Sequence, residues 1–198
     1  MRVTVYAGSS AGNRPVFAEE AGRFAARLAQ RGCDIVYGGG SVGLMGVVAD
    51  AALAHGGKVI GVIPRSLADA EVAHGSLTEC HVVESMRERK AMMEELGDCF
   101  VALPGSVGTL EELFEVWASL VLGHHGKPVM LLNTEDYWNR LLSLVRKSAN
   151  YGFMSDAESR SLIPVRSADE VFAVVAQWTP PAPRWGSGGP NRVATQPS

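Results

Sequence analysis

Two kinds of apolar pattern alternate along the chain. Short runs rich in β-branched residues fall at 3–6, 34–37, 59–63, 81–83, 99–103, 129–132 and 163–165. Between them lie stretches with apolar residues at helical spacing, at 15–31, 42–55, 86–97, 110–122, 137–150 and 168–178. The runs are continuously apolar rather than alternating, as expected of strands buried on both faces of a parallel sheet. Regular strand–helix alternation predicts an α/β, Rossmann-like, doubly wound and mostly parallel sheet of about seven strands, with helices on both faces. Residues 1–178 are expected to form one domain. In such sheets ligands bind at the carboxyl ends of the strands, so the loops after each strand carry the candidate chemistry.

Composition narrows the picture. The chain has 198 residues, with 18 Lys+Arg against 21 Asp+Glu and a net charge of -3. That balance argues against a nucleic-acid partner held by phosphate neutralisation. No apolar run approaches the roughly 18 residues of a membrane span, and the N-terminus does not read as a secretory signal. Cys33, Cys80 and Cys99 form no CxxC pair. They read as reduced thiols packed as small hydrophobes, so a soluble cytoplasmic protein is expected. From Thr179 onward the composition changes: the last 20 residues hold five of the ten prolines and no Leu or Ile. A segment so poor in apolar area is expected to be a disordered tail, 179–198.

Three loops have the small residues that let backbone N–H groups approach an anion. The first strand ends in Ala7-Gly8-Ser9-Ser10, which is also an ordinary βα turn. The second runs into a glycine-rich stretch in which Gly38, Gly40 and Gly43 satisfy GxGxxG, with Gly39 between them. A dinucleotide-binding loop would be followed, about 20 residues on, by an acid for the ribose hydroxyls. The next strand instead ends Val62-Ile63-Pro64-Arg65, so a dehydrogenase is disfavoured. The glycines face a nucleotide or sugar, or they serve only a close helix–sheet contact. The third loop, Pro104-Gly105-Ser106-Val107-Gly108-Thr109, opens a helix. Unpaired amides and the helix dipole there make a cradle for a monophosphate, and without GK[ST] it is no triphosphate loop.

Two charged residues stand out. Thr109-x-x-Glu112 has the spacing of a capping box, and a helical wheel puts Glu111, Glu112 and Glu115 opposite Leu110, Leu113, Phe114 and Trp117. Position alone therefore favours a cap or a solvated carboxylate over catalysis. A second box, Ser85-x-x-Glu88, starts the helix at 86, whose apolar stripe of Met86, Met93 and Leu96 includes Arg89. A guanidinium on that face must find an anion or snorkel to the helix edge. The five histidines show no metal-ligand spacing, and no serine sits in a GxSxG elbow.

Taken together, the motifs from Tyr37 to Gly46, Gly61-Val62-Ile63-Pro64, Met86-Arg87-Glu88-Arg89-Lys90 and the loop from Pro104 to Glu112 resemble the LOG (Lonely Guy) family, in matching order over about residues 2–178. Members are cytokinin riboside 5′-monophosphate phosphoribohydrolases; many once carried a lysine decarboxylase label, for which no Schiff-base lysine can be identified here. The resemblance implies Arg89 and Glu112 as the catalytic pair. It also implies that Gly105, Ser106, Gly108, Thr109, Lys90, Gly39, Gly40, Ser9 and Met86 contact the substrate or its phosphate. It implies no cofactor and no metal, a nucleoside monophosphate substrate and a homodimer. One departure is Ser106, where the family motif PGGxGTxxE has its second glycine. If that position needs φ > 0, the Cβ costs about 1 kcal/mol. The other reading is a non-catalytic nucleotide or cofactor carrier on the same scaffold, which would keep the glycine loops without needing Arg89 and Glu112 together.

Overall fold

The computed structural model describes residues 1–68 and 73–185. Seven strands, β1 (Arg2–Tyr6), β2 (Asp34–Tyr37), β3 (Val59–Pro64), β4 (Glu79–Val83), β5 (Cys99–Ala102), β6 (Val129–Leu132) and β7 (Leu162–Val165), form one sheet in the order β4-β3-β2-β1-β5-β6-β7. Every pairing is parallel. The expectation of a doubly wound α/β sheet is met. The chain builds outward from β1 to the edge strand β4 and then returns to pair β5 with β1. The loops after β1 and β5 therefore diverge at a topological switch point, where crevices open in this fold.

The two faces of the sheet carry separate apolar clusters. Val3, Val5, Ile35, Tyr37, Val101 and Met130 pack on one side against α1 (Pro15–Gln30), α2 (Gly43–Ala54) and α8 (Ala168–Gln177). Tyr6, Val36, Val62, Phe100 and Leu131 pack on the other against α4 (Met86–Leu96), α5 (Val107–Leu122) and α6 (Asn139–Asn150). Successive strand residues thus serve opposite layers, which is why the runs read as continuously apolar.

Two short helices, α3 (Arg65–Ala68) and α7 (Asp156–Arg160), have too few turns to show a period in the sequence. A capping box still marks α7: Ser155 Oγ accepts from the Glu158 N–H and Glu158 Oε2 accepts from the Ser155 N–H. Helix α6 starts at Asn139, not 137, because Thr134–Asp136 forms a 3-10 turn whose Glu135 and Asp136 have φ of 54° and 56°.

Of the expected tail, residues 186–198 lie outside the described residues. Residues 179–185 lie against the domain. The Arg184 N–H donates to the Val121 carbonyl at 3.0 Å, its guanidinium reaches the Phe153 carbonyl at 2.7 Å, and Pro183 covers Gly123. Polar anchors replace apolar burial there. The cysteine expectation holds for Cys33 and Cys99, which are buried, but Cys80 is exposed because β4 is an edge strand. Among the described residues no helix is long and apolar enough to cross a membrane.

Candidate active site

Helix α4 brings Arg89 under the carboxyl ends of the central strands. Its N-cap Ser85 accepts from the Glu88 N–H, while the Glu88 carboxylate returns one residue earlier than a capping box requires, to the Glu84 N–H at 2.8 Å. Arg89 is 8% exposed, so the guanidinium does not snorkel. Nε donates to the Val62 carbonyl at 3.2 Å, and Met86 Sδ lies 3.8 Å from Nη1. Gly38 makes the space: a Cβ there would lie 1.9 Å from Arg89 Nη2.

Helix α5 supplies the anion, and here the structure corrects the wheel. The buried stripe of α5 is Thr109, Glu112, Leu113, Val116, Trp117 and Leu120, whereas Glu111, Phe114 and Glu115 face outward. The stripe includes two polar residues, so a wheel drawn from apolar positions alone is rotated. The capping box does not form either. The helix begins at Val107 with Ser106 as N-cap, leaving Thr109 and Glu112 inside the helix.

Glu112 Oε1 lies 3.1 Å from Arg89 Nη2, yet it is a buried oxygen without a hydrogen-bond partner among the described residues. Close approach without alignment leaves the pair electrostatic, and the carboxylate keeps lone pairs for another donor. Burial pushes the Glu112 carboxyl from its ordinary 4.5 up to about 7, with Arg89 pulling in the opposite direction. Such a group changes charge close to neutral pH, the range in which a general base is most useful.

The pair borders a cleft of about 150 Å³. Ser9 from the β1–α1 loop, Gly38 and Gly40 from the β2–α2 loop, and Ser106, Gly108 and Thr109 from the start of α5 line it, with Met45, Ile63 and Leu67 as its apolar wall. A second cleft, of about 180 Å³, lies across the β5–α5 loop and is lined by Gly8, Phe17, Leu44, Gly105 and Tyr137. Ser106 borders both.

The predicted residues are thus partly assembled. Arg89, Glu112, Ser106, Gly108, Thr109, Gly40 and Ser9 meet in one cleft, with Met86 touching Arg89. Lys90 is absent from that lining and instead borders a neighbouring cleft of about 370 Å³ together with Glu112. Its ammonium is held by Glu111 and Glu115 on the outer side of α5. Gly39 turns away with φ of 76°, its carbonyl accepting from the His74 N–H, and Gly105 borders the second cleft. Ser106 has φ of -97°, so its Cβ carries no left-handed penalty.

The glycine-rich loop serves both readings left open above. Gly43, with φ of 58°, lies so close to the β1–α1 loop that a Cβ would sit 2.3 Å from the Ser9 carbonyl carbon, and the Leu44 N–H donates to the Gly8 carbonyl. That N-terminal amide of α2 is used within the protein, so the start of α5 is the better candidate to receive an anion. Gly38 and Gly40 nevertheless face the cleft. Sequence reasoning missed Leu67 and Tyr137: one lies on a single-turn helix, the other follows a turn with no glycine to announce it.

Fold and site together define a parallel α/β protein in which a helix N-terminus and a buried arginine–carboxylate pair share one cleft at the topological switch point. A family profile described as "Possible lysine decarboxylase" matches residues 45–175. The chain is 43% identical to cytokinin riboside 5′-monophosphate phosphoribohydrolase LOG5 of Arabidopsis thaliana over 179 residues, covering 90% of this chain and 78% of that protein. It is 45% identical to the cytokinin riboside 5′-monophosphate phosphoribohydrolase of Rhodococcoides fascians, covering 87% of this chain and 88% of that one. Among solved structures, the molybdenum cofactor binding protein from Rippkaea orientalis has the same fold, with a TM-score of 0.66 at 20% identity over 88% of this chain and 94% of its own. The chain belongs to the LOG family.

Proposed function

We propose that the protein is a phosphoribohydrolase that cleaves the N-glycosidic bond of a cytokinin (N6-modified adenosine) 5′-monophosphate or of AMP, releasing the free base and ribose 5-phosphate. The observation that carries this reading is the buried Arg89–Glu112 pair, whose carboxylate Oε1 has no hydrogen-bond partner among the described residues and lies beside a cleft that begins at an α-helical N-terminus. The names of the curated relatives support the substrate class.

In this reading the 5′-phosphate sits at the start of α5, against Ser106, Gly108 and Thr109, and so fixes the ribose over Glu112. The C1′–N bond breaks with its electron pair going to the purine, and positive charge builds at C1′ as in other glycoside hydrolyses. Glu112 takes a proton from the attacking water, whose oxygen bonds to C1′; the departing purine takes up a proton. Arg89 orients the Glu112 carboxylate and the ribose hydroxyls. A nucleoside lacking the phosphate forfeits this remote binding energy and is a poor substrate.

A homodimer belongs to the same proposal. Val107, Phe114 and Leu122 form an outward apolar stripe at near-heptad spacing on α5, beside the site. The Met93 and Trp117 side chains are monomer core instead.

The test is chromatography of the purified protein after incubation with AMP and with isopentenyl-AMP. Free base and ribose 5-phosphate are expected from the wild type, with at least a ~100-fold loss in Glu112→Ala, in the range of removing a general base. Intact nucleotides from folded wild-type protein would overturn the reading and favour a carrier.

A further inference from the structure

Tyr137 lies outside the reactive cleft, yet the chain holds it in place at a conformational cost. It follows Glu135 and Asp136, two consecutive non-glycine residues with φ of 54° and 56°. Residues in that region persist only where their surroundings over-determine them. Here Arg14 pairs with Glu135 at 2.7 Å and Arg166 pairs with Asp136 at 2.8 Å. Asn133, buried at the head of the turn, accepts from the Trp138 N–H at 2.8 Å and donates to Asn139 Oδ1 at 2.9 Å. The Tyr137 ring meets Phe17 and Trp138 edge-on, with centroids 6.3 and 4.8 Å away. What this scaffold presents is one hydroxyl, which donates to the Gly105 carbonyl at 2.5 Å.

The peptide unit joining Gly105 to Ser106 is planar and trans, so its N–H points opposite to its carbonyl. Tyr137 and Gly105 border the second cleft, and Ser106 borders the reactive one as well. Holding the carbonyl toward Tyr137 keeps the Ser106 N–H on the side where an anion would bind. Glycine at 105 would otherwise let this peptide rotate cheaply, and a rotated unit would present carbonyl lone pairs to the anion. We propose that Tyr137 is a positioning residue that latches the Gly105–Ser106 peptide with its N–H toward the phosphate. The inference rests on the phosphoribohydrolase reading of the cleft.

The experiment uses the full chain and Tyr137→Phe, which keeps the ring contacts and removes only the hydroxyl. Base release from the better of AMP and isopentenyl-AMP is measured, with inorganic phosphate as competitor, alongside thermal shifts produced by inorganic phosphate alone. The expected result is a rise of about five- to tenfold in both KM and the phosphate inhibition constant, with kcat within about twofold, as for losing one positioned hydrogen bond. Unchanged KM and phosphate affinity, with or without a lower Tm, would mean a structural tyrosine and overturn the latch. Failure of the wild type to bind phosphate would overturn it too. Wild type that binds phosphate but hydrolyses neither nucleotide would overturn the phosphoribohydrolase reading, while the phosphate shifts of the two proteins would still decide the latch.

Discussion

Glu112 is buried beside a cation and still titrates near neutrality, because burial disfavours its charge more than Arg89 favours it. As the proton acceptor in the proposed reaction it must be ionised. The rate is therefore expected to fall as pH drops below about 7, and a kcat/KM profile over about pH 5 to 8 checks this. Stability runs the other way. The folded-state value lies above the ordinary 4.5, so the stabilisation from the protonated carboxyl is full below about 4.5 and lost as pH rises through about 7. Thermal melts of Glu112→Gln are expected to gain on the wild type as pH rises across that window. Gly38 tests the arginine. Its added Cβ would meet the far end of a long side chain, so Gly38→Ala displaces the guanidinium rather than the backbone. The expectation is a loss of about tenfold or more in kcat/KM, with Tm lowered by only a few degrees in melting curves.

At the scale of elements, the N-terminus of α5 combines the helix dipole, first-turn amides that no carbonyl of the helix itself can reach, and Ser106 at the N-cap position. Ser106 makes no side-chain capping hydrogen bond and needs no left-handed backbone. Ser106→Gly, which restores the family's glycine, is therefore expected to change stability by only a few tenths of a kcal/mol. Calorimetry of the two proteins decides this; a gain above about 1 kcal/mol would reveal strain at the serine. Element boundaries in the sequence were good where apolar periodicity ran for several turns, as in α1 and α4. They slipped at α5 and α6: the first turn of α5 holds a glycine and an exposed Val107 that is out of phase with the buried stripe, and a strained 3-10 turn precedes α6.

For the whole molecule, the sheet order decides which loops become neighbours. The return of β5 to β1 sets the β5–α5 loop beside Ser9, while α4, following β4, delivers Arg89 to the same cleft. In the proposed homodimer the exposed stripe of α5 would extend that arrangement to a second copy. Phe114→Glu is expected to shift a dimer to monomer in sedimentation velocity, because a charge replaces a partly exposed aromatic at the proposed interface. A wild type that sediments as a monomer at all concentrations would remove the dimer from the proposal.

The sequence by itself determined the α/β class, the strands and the candidate loops, because burial on both faces of a parallel sheet writes continuous apolar runs into the chain. It also singled out Arg89, since a cation inside an apolar stripe is anomalous in any fold. Glu112 was ambiguous from its position: its helix has charged residues on both sides of it, and only the resemblance to a family marked it as catalytic. Tertiary structure decided that it is buried, because the face of α5 that turns inward is set by what α4 and β1 present to it, including a guanidinium in search of an anion. Packing likewise took Lys90 out of the cleft and put Tyr137 on the Gly105 carbonyl. Local patterns report which residues avoid water, whereas the partners of polar side chains depend on contacts between segments far apart in the chain, which no local period records.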